Sequence, residues 1–111
     1  MEGRFPESDW KLFRKLEVLA LDRFCQRVLA EVSGLVADAV KTNHERYLAV
    51  YKLVRRRDKE LADAFNDPRR STALVQLARI RFRELLTDEE FAGFSPETRA
   101  SVQMFLEMWR S

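Results

Sequence analysis

The stretch LFRKLEVLALDRFCQRVLAEVSGL, residues 12–35, decides the fold. Within and around it Phe13, Leu16, Ala20, Phe24, Val28, Val32 and Leu35 recur at spacings of three and four, which puts them on one side of an α-helix. Two further segments repeat the pattern. Tyr47, Val50, Tyr51, Val54, Leu61 and Phe65 form a second stripe, and Leu74, Leu77, Ala78, Phe82 and Leu85 a third. No strand-like alternation and no internal repeat interrupts them. The short connections between later segments make neighbouring helices antiparallel. The chain therefore reads as all-α, a compact bundle of four to five helices, with residues 1–111 as a single helical domain.

Helix boundaries follow from capping chemistry. Ser8 precedes the first amphipathic run, while Thr42 with Glu45 and Thr87 with Glu90 have capping-box spacing. Asp67-Pro68 and Ser95-Pro96 each read as an N-cap followed by proline at the first helical position. Gly93 falls where a short helix after Thr87 would stop. The expected helices span 9–32, 43–65, 68–86, 88–92 and 96–110, and residues 33–40 either extend the first helix past Gly34 or form a separate turn.

Composition excludes several classes. Three Gly and three Pro are too few for a linker-rich or disordered chain. A single cysteine, Cys25, cannot form an intramolecular disulfide. The N-terminus lacks the apolar run of a signal peptide, and the longest unbroken apolar run, Val18 to Leu21, cannot cross a bilayer. A cytoplasmic protein without a membrane partner is the expectation.

Charge is unevenly distributed. Residues 41–86 hold twelve Lys/Arg against six Asp/Glu, whereas the flanking segments are mildly acidic, so the total of +2 conceals a basic middle. Lys52, Arg55, Arg56 and Lys59 fall at i, i+3, i+4, i+7 on the polar side of the second helix. Arg79 and Arg83 line the polar side of the third, and a helical hairpin would merge the two rows into one basic face. Glu60, Asp63 and Glu84 would partly neutralise it, and no aromatics are interleaved with it. Nucleic acid is thus a possible partner but not the favoured one.

Catalytic chemistry finds little purchase here. The one histidine, His44, opens the second helix, and Cys25 lies among apolar neighbours on the first. One of each is too few for a transition-metal site, and no cofactor is implied. The carboxylates Asp88, Glu89 and Glu90 sit in a helix's first turn, where they complement its dipole. No phosphate loop, nucleophile elbow or zinc-protease motif occurs. Asp58 falls within the apolar stripe of the second helix, and Arg81 is similarly set in the third. Together they read as a partly buried ion pair or, alternatively, as the polar wall of a ligand pocket.

The last helix carries more apolar surface than one core contact needs. Val102, Phe105, Leu106 and Trp109 form one stripe, and Met104 and Met108 widen it. With Trp10 near the other terminus, Met104, Phe105, Met108 and Trp109 are the expected partner interface, either between two copies or with another protein.

Leu77, Leu85-Leu86-Thr87 and Glu89-Glu90-Phe91 resemble the SHOCT oligomerisation motif, a helical hairpin whose turn often precedes Thr-x-Glu-Glu-Phe. Glu84 and Leu85 stand where that motif usually has its glycine. More broadly, Leu21-Asp22-Arg23-Phe24-Cys25, His44-Glu45-Arg46-Tyr47-Leu48-Ala49, Arg69-Arg70-Ser71 and Phe94-Ser95-Pro96-Glu97-Thr98-Arg99 resemble a family of small bacterial helical proteins without assigned function. That resemblance implies a compact cytoplasmic fold and no active-site residues. The combined expectation is a non-enzymatic protein that works by protein–protein interaction, most simply self-association.

Overall fold

The computed structural model describes residues 5–66 and 68–111. Among them five helices follow in order: α1 (Glu7–Val36), α2 (Asn43–Phe65), α3 (Ala73–Phe82), α4 (Asp88–Phe91) and α5 (Pro96–Arg110). No strand occurs among the described residues, so the fold is all-α.

α1 continues through Gly34, whose Cβ position faces open space, and ends at Val36. A tight turn then leads to Thr42, which accepts the Glu45 N–H at 3.1 Å while Glu45 accepts the Thr42 N–H at 2.9 Å. This capping box starts α2 where its spacing requires. Arg46 donates to the Val36 carbonyl at 2.6 Å and so closes the end of α1 from the first turn of α2. Further along the hairpin Arg57 bridges Glu31 of α1 and Glu60 of its own helix, both at 2.8 Å.

α3 is shorter than its apolar stripe suggests at both ends. Asp67 lies outside the described residues, and Pro68 is not helical; the chain turns through 69–72 before α3 begins. Arg70 is drawn away from a helical path, donating to the Phe5 carbonyl at 3.1 Å and pairing with Glu7 at 2.7 Å. At the far end Glu84 adopts φ 58°, the left-handed region. The Glu84 N–H then reaches the Arg81 carbonyl at 2.9 Å and the Leu85 N–H the Ile80 carbonyl at 3.2 Å. That is a Schellman ending, and it stops the helix before Leu86. Arg27 of α1 donates to the carbonyls of Arg83 at 2.8 Å and Glu84 at 2.5 Å.

The corner that follows is tied to α1. Thr87 and Glu90 form the expected capping box of α4, and Arg23 binds the Glu90 carboxylate through two hydrogen bonds of 2.7 and 2.8 Å. The same guanidinium donates to the Leu85 carbonyl at 2.9 Å. Arg23 and the Thr87 N–H together pull the Glu90 pKa down to about 2 from 4.5.

Burial shows where the core sits. Phe13, Leu16, Ala20 and Phe24 of α1 pack against Leu77, Ala78 and Ile80 of α3 and Val102 and Leu106 of α5, with Phe5, Phe91 and Phe94 filling one end. No residue of α1 beyond Phe24 is buried. The hairpin tips therefore project past the core, and the molecule measures 57 × 27 × 22 Å. Its radius of gyration is 16.9 Å, against about 13 Å for a compact domain of this length.

Two outcomes follow. Glu84→Gly removes the left-handed strain and should stabilise the protein by about 0.5–1 kcal/mol, read as a Tm rise of a few degrees. The lowered Glu90 pKa contributes stability that is complete above pH 4.5 and is lost as pH falls toward 2. Thermal melts of wild type and Glu90→Gln should therefore differ at pH 7 and converge by pH 2.

Candidate interaction surfaces

The α5 surface expected from sequence is present in part. Val102 and Leu106 are buried against the core, and Ser95 caps the helix by accepting the Thr98 N–H. Phe105 is half-buried, with Trp109 at 5.5 Å from it and at 5.7 Å, edge on, from Phe82 of α3. Met104 and Met108 are 68% and 61% exposed. Trp10 does not join them. It stacks on Phe13, and Arg14 lies over its ring at 5.5 Å. Its neighbour Asp9 is anchored to Thr98, and Met108 lies about 15 Å further along α5 at the helical rise.

A larger apolar surface lies on the α1/α2 hairpin. Val18, Leu21, Cys25, Leu29, Val32 and Val36 share one side of α1, displaced by roughly 140° from the buried stripe of Phe13, Leu16, Ala20 and Phe24. Tyr47, Tyr51 and Val54 of α2 face the same way and are exposed. Cys25, Val28, Leu29 and Val32 meet Val54, Asp58 and Leu61 around a shallow apolar groove of about 240 Å³. The opposite side of the hairpin is polar, with Arg27, Glu31, Arg57, Glu60 and Arg83 around a second depression. The spacing of Val18, Leu21, Cys25, Leu29, Val32 and Val36 is itself a three–four pattern, and this second stripe was the signal for the surface.

Asp58 is exposed rather than part of a buried pair. The α2 stripe that contains it splits in three dimensions: Phe65 turns inward, as do Leu53 and Ala64 beside it, and Val54, Asp58 and Tyr51 face outward. Arg81 belongs to a different contact. It donates to the Leu86 carbonyl at 2.9 Å, pairs with Asp88 at 2.5 Å and lies 4.7 Å from the Phe91 ring centre. The buried carboxylate is Asp9, 2% exposed. It accepts the Ser95 N–H at 3.0 Å, the Ser95 hydroxyl at 2.7 Å and the Thr98 hydroxyl at 2.6 Å. These donors at the start of α5 replace the water that a buried carboxylate loses.

The basic face is divided. Lys52, Arg55, Arg56 and Lys59 are exposed on α2, and Arg55 donates to the Tyr51 hydroxyl at 3.2 Å. Arg79 pairs instead with Asp63 at 3.7 Å and Arg83 with Glu60 at 3.2 Å, so the α3 row neutralises α2 carboxylates. Cys25 and His44 are separate as well. Cys25 lies level with Asp58, and His44 precedes Asp58 by about 20 Å of α2. Among the described residues no three His, Cys, Asp or Glu side chains are grouped to hold a metal ion, and no helix is long and apolar enough to cross a membrane.

Comparison with protein-family models, curated proteins and solved structures finds no match to this chain.

The two aspartates should behave oppositely. Asp9→Ala strands the half-buried Ser95 and buried Thr98 donors and is expected to cost about 2–4 kcal/mol. Asp58→Ala, at an exposed position, should change stability by less than about 0.5 kcal/mol. Urea unfolding of both variants checks the contrast.

Proposed function

We propose that this chain is a non-enzymatic, cytoplasmic protein that acts through protein–protein interaction, first of all by associating with itself. The observation that carries this reading is the amount of apolar surface left uncovered. The accessible surface is 7544 Å². A folded monomer of 13.1 kDa exposes about 6,400 Å², so this elongated molecule shows roughly 1,100 Å² more surface of all kinds, room enough for the ~800 Å² that each partner buries in an ordinary interface. Leu29, Tyr47, Tyr51, Val54, Met104 and Met108 all contribute to it. The non-enzymatic part rests on the separation of the single cysteine from the single histidine and on the apolar lining of the groove beside Asp58.

A second reading has one specific support. Lys52, Arg55, Arg56 and Lys59 form a continuous exposed row on α2, and such a row attracts nucleic-acid phosphates. Pairing of Arg79 and Arg83 with carboxylates takes two of the six basic residues out of that face, which ranks it second.

Sedimentation velocity between about 1 and 100 µM, the range of moderate protein affinities, tests the leading reading. A mass of at least twice 13.1 kDa, rising with concentration, is the expected result. A 13.1-kDa monomer throughout overturns self-association. Fluorescence anisotropy with generic duplex DNA and RNA tests the second; no binding at low salt excludes it.

A further inference from the structure

We infer that the outward side of the α1/α2 hairpin is the self-association surface, and that its occupant is the same side of a second copy, completing a four-helix bundle. This rests on the self-association reading above and adds where the contact is made.

Two antiparallel helices present two flat sides. Here one side takes the core and the polar cluster of Glu31, Arg57, Glu60 and Arg83, and none of the described residues covers the other. Coverage fails for a reason of length. α3 has 10 residues and α5 has 15, whereas α1 has 30, so the later helices reach only the first part of α1. Leu29 at 65% and Tyr47 at 67% exposure sit on the uncovered part.

Area separates this surface from the one on α5. With Val18, Val36, Tyr51 and Val54 added, and the half-buried Leu21, Cys25 and Val32 beside them, the hairpin side offers about 800 Å² of largely apolar surface, the amount one partner contributes to a stable dimer. Met104, Met108, Trp109 and Phe82 offer about 400 Å², within what ordinary monomers expose.

Charge permits a copy of itself as the occupant. Asp58 is the one acidic residue lining the groove, and Arg57, the one basic residue there, is held in ion pairs with Glu31 and Glu60. Lys52, Arg56 and Lys59 lie roughly 130° or more around α2 from Val54, so most of the basic row points away from the seam; Arg55, roughly 100° from Val54 and bonded to the Tyr51 hydroxyl, lies at its edge. A two-fold axis through the hairpin sets each three–four ridge into the copy's groove at about 20°, the packing of four-helix bundles.

The experiment uses the full chain in sedimentation equilibrium, with circular dichroism and thermal melts to confirm folding. Leu29→Glu with Val54→Glu places four like charges in the seam and should weaken association at least a hundredfold. Met104→Glu with Met108→Glu, on α5, should leave it unchanged. Asp58→Leu extends the apolar seam and should tighten association at least tenfold, a readout that stands even where the glutamate pair fails to fold. Wild-type-like association of folded Leu29→Glu/Val54→Glu overturns the placement while leaving self-association intact, as does loss of association in the α5 pair. Unchanged affinity in Asp58→Leu also counts against the placement. A wild type that stays monomeric overturns both readings, and the hairpin side then belongs to a different protein.

Discussion

The length of α1 is the constraint from which the rest of the structure follows. Thirty helical residues extend about 45 Å, whereas α3 and α5 extend about 15 and 22 Å. No arrangement of the later helices covers such a rod from end to end. The core accordingly forms around Phe13, Leu16, Ala20 and Phe24, and beyond Arg27 and Val28, which still meet the end of α3 and the core, α1 runs mainly beside α2. Both stripes of α1 are needed to build this molecule: one buries itself within the chain, and the other keeps its valines and leucines at the surface.

Electrostatics locks that arrangement rather than creating a binding field. Arg23 and Arg27 lie on the α1 face next to the core stripe and take up the carbonyls where α3 ends. A helix terminus leaves carbonyls without intrahelical partners, and a guanidinium satisfies several of them from one rigid fork. Arg23 also holds Glu90, so a single side chain joins α1, the end of α3 and the cap of α4. Arg57, Arg79 and Arg83 do comparable work between α1, α2 and α3. The positive excess of residues 41–86 is thus partly consumed in fixing helices against one another. Its most continuous exposed part is the row on α2.

Local chemistry was the legible part of this chain. Thr42 with Glu45, Thr87 with Glu90 and Ser95 with Pro96 act within three residues of one another, so their capping could be read without knowing the fold. Tertiary chemistry was hidden. Asp9 has its partners in Ser95 and Thr98, far along the chain, whereas Asp58 sits in a stripe that a helical wheel treats as one face. The wheel averages over a helix of 23 residues, yet that stripe is not buried as one: Phe65 turns inward, Tyr51 and Val54 face outward, and the buried Leu53 and Ala64 lie beside it. The early end of α3 was equally beyond reach, because Glu84 gives no local sign of its left-handed backbone. Only the Ile80 and Arg81 carbonyls and the Arg27 clamp select it.

An exposed apolar side on a helical hairpin differs physically from one on a sheet. Helices satisfy their main-chain hydrogen bonds internally, so the surface offers side chains and no unpaired backbone edge to template further chains. Its extent is also bounded, by the turn at residues 37–42 at one end and by Val18 on α1 at the other. Were such a bounded patch to meet a copy of itself, the two-fold contact would close after one partner had bound, whereas an open edge would keep adding chains. The same uncovered length of α1 that leaves the monomer elongated would therefore limit how many copies can satisfy it.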